Sequence, residues 1–228
     1  SNAGASNGTL CFFVGGWIVG DPEITARMEQ MTISSTSGAT TAGDLQGGST
    51  YICSTSNGDS KFLIIGIGTA GYGKTAVDEH NFDTSANSSA YGNVATIGTG
   101  YSGVVCATNR VVVAGGYLDS GYNRGTRMHY FPVASAADSD SSDEADLAAA
   151  VAGAAGTSDG TRGEWYGGYG AGAGYYHNRI QKVTIASLSN TSDVGDLTTV
   201  DFASDYWTSD GGSDVSGIAY ESVETAIN

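Results

Sequence analysis

The sequence predicts an all-β fold built from repeats of about 50 residues, and three observations predict it. A turn-like tripeptide of the Ser-Asn-Gly kind recurs along the 228 residues, at 6–8, 56–58, 108–110, 158–160 and 209–211. Each copy precedes a short apolar run that usually ends in glycine. The composition of 35 glycines and 2 prolines, with abundant Ser, Thr, Asn and Asp, suits tight turns between strands rich in Val, Ile, Tyr and Phe. Repeats of this length are typical of propellers, solenoids or arrays.

One repeat resolves into four strands, as the unit that starts near Ser49 illustrates. Its first strand is predicted at 50–54 and precedes Asn57-Gly58, a dipeptide that favours tight hairpins. The second strand is the continuous apolar run 62–66, which suits burial on both faces. The third is predicted at 77–83 and the short fourth at 92–94.

The other repeats match this unit in phase. Further first strands are predicted at 103–107, 151–155 and 202–207, and second strands at 10–16, 111–116, 163–168 and 215–220. Third strands are predicted at 28–33, 128–133, 180–185 and 223–227, and fourth strands at 43–45, 145–147 and 195–197. The first repeat is therefore expected to lack a first strand, and the last repeat to lack a fourth.

Four antiparallel strands per repeat indicate a β-propeller, with five blades of which both terminal ones are incomplete. The alternative has four blades, in which 202–207 closes the ring on the first blade and the residues after Val215 are left over. A third arrangement takes the missing strands from another copy, because unpaired strand edges at the termini invite pairing between chains. We therefore expect a homo-oligomer through unpaired terminal strands as one outcome.

Three second strands end in a glycine pair followed by an aromatic residue: Gly15-Gly16-Trp17, Gly115-Gly116-Tyr117 and Gly167-Gly168-Tyr169. With four strands per repeat, this pattern resembles the kelch type of β-propeller over nearly the whole chain. The second unit departs from the pattern with Gly66-Ile67-Gly68, and the kelch tryptophan of the fourth strand is missing, so the repeats are kelch-like. Residues 161–197 are also similar to repeats in uncharacterised structural proteins of marine phages, a resemblance that implies no activity.

The net charge of −15, with only 9 lysines and arginines, argues against nucleic acids and anionic membranes as partners. An acidic protein of a virion or of the extracellular space is favoured over a cytoplasmic one. Residues 1–3 look like a remnant of tag removal, which leaves 4–228 as a single domain. Since no initiator Met follows, we expect a piece of a longer protein or an incomplete reading frame.

The motifs that resemble chemical sites favour structural interpretations. Residues 68–75 match the phosphate-binding pattern GxxxxGK[ST], but the segment after Lys74 is too short and strand-like for the required helix. The acidic run 138–144 lacks the glycine and the terminal Glu of a calcium loop, and is interpreted as a solvated linker. His80 and His129, in equivalent third strands, are expected to be structural. No cofactor and no metal site is predicted.

The cysteines are interpreted as small buried hydrophobic residues. Cys53 and Cys106 are placed at the same position of successive repeats, so a disulfide between them is not expected. With three cysteines and no CxxC spacing, neither a disulfide framework nor a metal site is indicated.

Aromatic residues of the loops between second and third strands are the candidate binding residues, because Tyr and Trp provide rigid, amphipathic contact area. They are Trp17, Tyr72, Tyr117, Tyr122, Tyr169, Tyr175 and Tyr176. We expect a non-enzymatic recognition or structural module of a phage virion or tail, which binds a glycan or a protein through these side chains. The alternative is a polysaccharide hydrolase or lyase with acids in the central channel.

Overall fold

The computed structural model describes residues 3–16, 24–35, 37–49, 52–56, 60–67, 75–94, 102–107, 109–118, 123–133, 142–170 and 176–198, without the side chains of 142–144. These residues form eighteen β-strands. Within these ranges no helix is present that could cross a membrane.

Sixteen of the strands build four antiparallel sheets, each a meander in chain order. Sheet I contains β1 (Ala3–Ser6), β2 (Leu10–Val14), β3 (Arg27–Thr32) and β4 (Thr40–Asp44). Sheet II contains β5 (Cys53–Ser56), β6 (Lys61–Ile67), β7 (Ala76–Asn81) and β8 (Ser89–Asn93). Sheet III contains β9 (Gly103–Ala107), β10 (Arg110–Ala114), β11 (Arg127–Pro132) and β12 (Ser142–Asp146). In sheet IV, β14 (Ala155–Ser158), β15 (Arg162–Tyr166), β17 (Arg179–Thr184) and β18 (Ser192–Asp196) follow one another, and β13 (Val151–Ala152) pairs separately with β16 (Tyr169–Gly170).

The recurring tripeptides at 6–8 and 158–160 are turns between a first and a second strand. The side-chain Oδ1 of Asn7 accepts hydrogen bonds from the N–H groups of Thr9 and Leu10, at 3.0 and 2.9 Å. Asp159 does the same for the N–H groups of Thr161 and Arg162, at 2.9 and 2.7 Å, and these backbone donors lower the pKa of its carboxyl group. The Asn or Asp side chain therefore fixes the turn locally, as such residues do.

A register shift recurs near the start of the third strand in every sheet, between Met28/Glu29, Val77/Asp78, Met128/His129 and Ile180/Gln181. One residue of the fourth strand is thereby left without a partner in the ladder, as in a β-bulge. The register places Ala42, Tyr91 and Val194 at this position of sheets I, II and IV. The repeat is thus conserved in backbone detail as well as in strand number.

The sheets stack in chain order through their first strands, with β1 against β5, β5 against β9 and β9 against β14. Apart from Val104 and Val105 of β9, these strands are made of small residues, which allow their backbones to approach closely. Across the stack, Ser54 Oγ donates to the carbonyl of Gly4 at 2.6 Å and Ser56 Oγ to that of Ser6 at 2.7 Å. Four-stranded sheets stacked in this way are compatible with the blades of a propeller.

Three apolar cores fill the spaces between neighbouring sheets. We call the face of a sheet that points to the preceding sheet its back face, and the face that points to the following sheet its front face. Phe12 of β2 lies on the front face of sheet I and meets Phe62 on the back face of sheet II, with ring centroids 5.1 Å apart. Trp165, fully buried, lies on the back face of sheet IV. Each joint is therefore a front face packed on a back face.

The all-β prediction and the four-stranded repeat are confirmed, and second and third strands lie within a few residues of their predicted bounds. The prediction that the first repeat lacks a first strand was wrong, because Ala3–Ser6 forms β1. Ala3, assigned to the tag remnant, is buried there and pairs with Val14. The predicted strand 151–155 is also wrong, because β13 ends at Ala152 and β14 begins at Ala155. The predicted fifth repeat falls on 199–228, outside the described residues.

The predicted equivalence of Cys53 and Cys106 was wrong as well. Cys53 is paired with Ile65, next to Gly66, whereas Cys106 is paired with Val111 at the other end of its hairpin. Cys106 therefore corresponds to Ser56 rather than to Cys53. Both cysteines are buried and neither is in a disulfide. Burial raises the pKa of Cys53 to about 12, so its thiol is not a reactive thiolate at neutral pH.

Candidate functional site

The loops after the glycine pairs of sheets III and IV begin and end with the same backbone hydrogen bonds. Gly115 N donates to the carbonyl of Arg127 and Gly167 N to that of Arg179, each at 3.1 Å. Both glycines adopt positive φ, 68° and 61°, which disfavours side chains larger than glycine at these turns. The residue after each pair, Tyr117 or Tyr169, is therefore held at an equivalent place.

Each of these tyrosines forms an isolated bridge across its own loop. Tyr117 pairs with Arg124, and Tyr169 pairs with Tyr176. The rings of Tyr169 and Tyr176 meet edge to face with centroids 4.6 Å apart, and the hydroxyl of Tyr176 donates to that of Tyr169 at 3.0 Å. The second loop is thus closed by a pair of packed aromatic side chains.

Arg124 joins the two loops. Its guanidinium carbon lies 5.6 Å from the ring centroid of Tyr117 and 5.4 Å from that of Tyr169. Both distances fall within the range of cation–π attraction. We call Tyr117, Arg124, Tyr169 and Tyr176 the Tyr–Arg cluster; all four side chains are half-buried. The cluster therefore straddles the boundary between sheets III and IV.

The strand pair β13–β16 fastens the cluster to the scaffold. Ala152 is the β-partner of Tyr169, and Val151 is that of Gly170. Gly170 leaves room for the ring of His177, since a Cβ at this glycine would lie 2.2 Å from His177 Nε2. Backbone pairing on one side and ring packing on the other hold Tyr169 in place.

The electrostatics of the cluster are those of one cation among neutral side chains. Arg124 Nε is buried and finds no hydrogen-bond acceptor among the described residues. Burial, and then the positive charge of Arg179, lower the pKa of His177, which is therefore neutral at pH 7. No group of three or more His, Cys, Asp or Glu side chains in the described ranges could hold a metal ion.

Three of the seven predicted binding residues, Tyr117, Tyr169 and Tyr176, are brought together in the cluster. The other four, Trp17, Tyr72, Tyr122 and Tyr175, lie outside the described residues. Sequence reasoning missed Arg124 and the neighbouring His177. A signal for Arg124 existed, because a chain with only 9 lysines and arginines places one of them inside an aromatic loop.

The other motifs have structural outcomes. After the phosphate-binding pattern, β7 begins at Ala76 as a strand, which confirms that no helix follows Lys74. His80 is buried and packs against the rings of Phe12 and Phe62, and His129 is buried in β11. The first part of the acidic run lies outside the described residues, and its end forms β12.

Comparison with known proteins gives a fold likeness alone. No family model matches the chain, and no curated protein matches it. Among solved structures, that of YjhT is similar, with a TM-score of 0.67 at 13% sequence identity over 87% of this chain. The chain spans 65% of the length of that structure.

Proposed function

We propose that this chain is a non-enzymatic recognition module of the β-propeller type, which binds a glycan through the Tyr–Arg cluster. The stacking of four-stranded sheets through their first strands supports the propeller, as does the fold likeness to YjhT, a kelch-type propeller. In the described part of the chain, β14 and β1 are not in extended contact, which favours a ring of more than four blades.

The observation that carries the binding proposal is the position of Arg124 between two tyrosine rings from different sheets. Half-buried aromatic rings offer flat apolar surface, and the phenol and guanidinium groups offer hydrogen bonds at the edge. A sugar ring presents the same combination, an apolar face edged by hydroxyl groups. A site fastened by backbone pairing needs little ordering on binding, which favours affinity.

The enzymatic alternative has less support. Most glycoside hydrolases need a pair of carboxyl groups on either side of the scissile bond. The first strands β1, β5, β9 and β14, which are nearest one another in the stack, contain no Asp or Glu. A virion or extracellular setting is proposed on the acidic charge and the phage-like repeats.

The test is a glycan-array screen of the purified protein with and without calcium, followed by the double variant Y117A/Y169A. We expect at least about a tenfold loss of affinity, since aromatic contacts at binding sites are worth more than 1 kcal/mol. The matched control is Y130A, which removes another tyrosine stacked on an arginine, with the Arg110 guanidinium carbon 4.2 Å from its ring. Unchanged affinity of the double variant would contradict the site, and binding to a protein instead would replace the ligand class.

A further inference from the structure

The exposed large apolar side chains of the described residues all lie on the two sheets at the ends of the stack. Phe13 and Ile33 of sheet I are 42% and 49% exposed, and Val194 of sheet IV is 49% exposed. Single exposed apolar residues are common on protein surfaces. Here, however, the repeat allows each one to be compared with its equivalents in the other sheets.

Phe13 and Ile33 lie on the back face of sheet I. The ladder places Phe13 at the position of Ile64, Val113 and Trp165, each at most 1% exposed. Ile33, which follows β3, corresponds to Phe82, Val133 and Ile185, at 1%, 4% and 0% exposure. In sheets II to IV these positions are covered by the preceding sheet.

Val194 lies on the front face of sheet IV. Its equivalents at the bulge are Ala42 and Tyr91, which are 2% and 0% exposed. Ala42 belongs to the core between sheets I and II, and Tyr91 packs against Phe131 of sheet III at a centroid distance of 5.9 Å. The position of Val194 is thus one that a following sheet covers.

The front face of sheet IV also carries an ion pair, between Lys182 and Glu164 at 2.9 Å. Sheet II carries a pair on its front face too, between Lys61 and Glu79 at 2.8 Å, and still packs against sheet III. A cross-strand ion pair therefore does not prevent a front face from forming a joint.

We propose that the front face of sheet IV docks on the back face of sheet I of a second copy, through the joint that the chain uses internally. The three internal joints are each a front face on a back face, and the two remaining faces are one of each kind. Glu29 of sheet I occupies the position of Asp78 and Gln181, which accept backbone N–H groups from the preceding sheet. Such a contact is heterologous, so it closes into a ring or extends into a filament.

A second copy fits this role better than residues 199–228. Sheet II takes 41 residues, from Cys53 to Asn93, whereas 199–228 supply 30. The segment is therefore shorter than one four-stranded sheet, while a second copy presents a complete one. The proposed contact between copies uses the faces of the sheets, whereas the sequence suggested a contact through unpaired strand edges.

The test measures the mass of the full chain by light scattering over a range of concentrations, for wild type, F13D and V194D. We expect wild type to associate with rising concentration and each variant to remain monomeric. An equal mixture of the two variants should form dimers of twice the monomer mass, because F13D keeps an intact front face and V194D an intact back face. Matching near-UV circular dichroism checks the folding of each variant, and I33S replaces F13D if that variant fails to fold.

Three outcomes would overturn the proposal. A monomeric wild type at all concentrations means that 199–228, or nothing, covers the faces. If V194D associates in the absence of F13D, the contact is a back-to-back dimer. If the mixture of folded variants stays monomeric, the two faces do not meet.

Cys11 gives a second readout, since it is partly exposed beside Phe13 in β2 while Cys53 and Cys106 are buried. Its rate of labelling by a thiol reagent should fall with concentration in wild type but not in V194D.

Discussion

Two of the joints share one backbone arrangement. We call the joint between sheets I and II the first joint and the joint between sheets III and IV the second joint. In each, the carbonyl of the last residue of the fourth strand accepts an N–H from the next sheet, Asp44 from Ser88 and Asp146 from Thr191, both at 2.9 Å. An Asn side chain of the next sheet accepts the N–H of that same residue, at 3.0 Å in both joints. The backbone therefore sets the geometry of the joint, independently of the core beneath it.

The side chains that complete the two joints differ in charge. Asp78 accepts the N–H of Gln46 at 3.0 Å in the first joint, and Gln181 accepts that of Ala149 at 3.1 Å in the second. A hydroxyl group also donates to each acceptor: Ser88 Oγ to Asp78 at 2.5 Å, and Thr191 Oγ1 to Gln181 at 3.3 Å. The position requires an acceptor oxygen and not a negative charge.

The apolar cores of the two joints differ more than their acceptor side chains do. Phe12, Phe62 and Phe82 form a cluster in the first joint, with ring centroids 5.0 to 5.6 Å apart. In the second joint Trp165 packs closely on Gly103, where a Cβ would lie 2.5 Å from the indole ring. One joint thus shares its apolar contacts among several rings, and the other concentrates them in one.

The largest expected effect tests this difference in the cores. W165A should lower the free energy of unfolding by about 3–5 kcal/mol, because it leaves a large cavity that the glycines around it cannot fill. F82A should cost less, since Phe12 and Phe62 remain in contact. Urea unfolding of both variants measures the difference, and an equal or larger loss in F82A would show that the first joint does not share its contacts.

The second prediction separates an internal joint from the open end of the stack. Gly43 and Gly195 occupy equivalent positions, with φ of 145° and 156°, but a Cβ on Gly43 would lie 2.1 Å from the carbonyl oxygen of Ala86, while one on Gly195 meets nothing within 4 Å. Strain at such φ costs about 1–3 kcal/mol in either variant. G43A should therefore lose clearly more stability than G195A in thermal unfolding at low protein concentration. Similar losses would mean that strain alone decides both positions.

The third prediction concerns pH. Burial raises the pKa of Asp78 above its ordinary value of 3.8, against the opposing hydrogen bonds from Gln46 and Ser88. A carboxyl group with a raised pKa adds stability that is complete below pH 3.8 and is lost as the pH rises through the raised pKa. D78N, which resembles Gln181 of the second joint, should remove this part of the pH dependence. Urea unfolding between pH 3 and 7 measures it, and parallel curves for wild type and D78N would contradict it.

The smallest expected effect concerns the first strands. Ser56 and Ser158 donate hydrogen bonds to the first strand of the preceding sheet, and Cys106 occupies the same position in sheet III. C106S should stay within about 1 kcal/mol of wild type, because the new hydroxyl can donate in the same way. C53S is the control and should cost about 1–3 kcal/mol as a buried hydroxyl without an equivalent acceptor. Equal losses in thermal unfolding would show that Cys106 is not a substitute for serine.

Much of the fold was predictable because its signals are local. The Asn and Asp turns, the apolar runs and the glycine pairs each act within a few residues, so β2, β6 and β10 were found from sequence. β1 was missed because Ala3-Gly4-Ala5-Ser6 has no apolar alternation. Its small residues are explained only by the close packing of first strands between sheets.

The candidate site was predictable in part for the same reason. Tyr117 and Tyr169 follow glycine pairs at the same phase of the repeat, so their shared location could be inferred. That Arg124 of one loop reaches Tyr169 of the next depends on how sheets III and IV meet. The register that separates Cys53 from Cys106 likewise depends on pairing along the hairpins.

By itself the sequence determined the all-β class, the period of the repeat and the four strands of each unit, because turn chemistry and side-chain alternation act over short distances. Only the tertiary structure decided which side chains meet across a joint and which apolar side chains of the described sheets are exposed at the ends of the stack. Phe13 and Trp165 show the reason: they occupy the same position of the repeat, yet one is 42% exposed and the other 0%. Burial depends on the neighbouring sheet, and that neighbour is brought there by contacts about 50 residues apart in the chain.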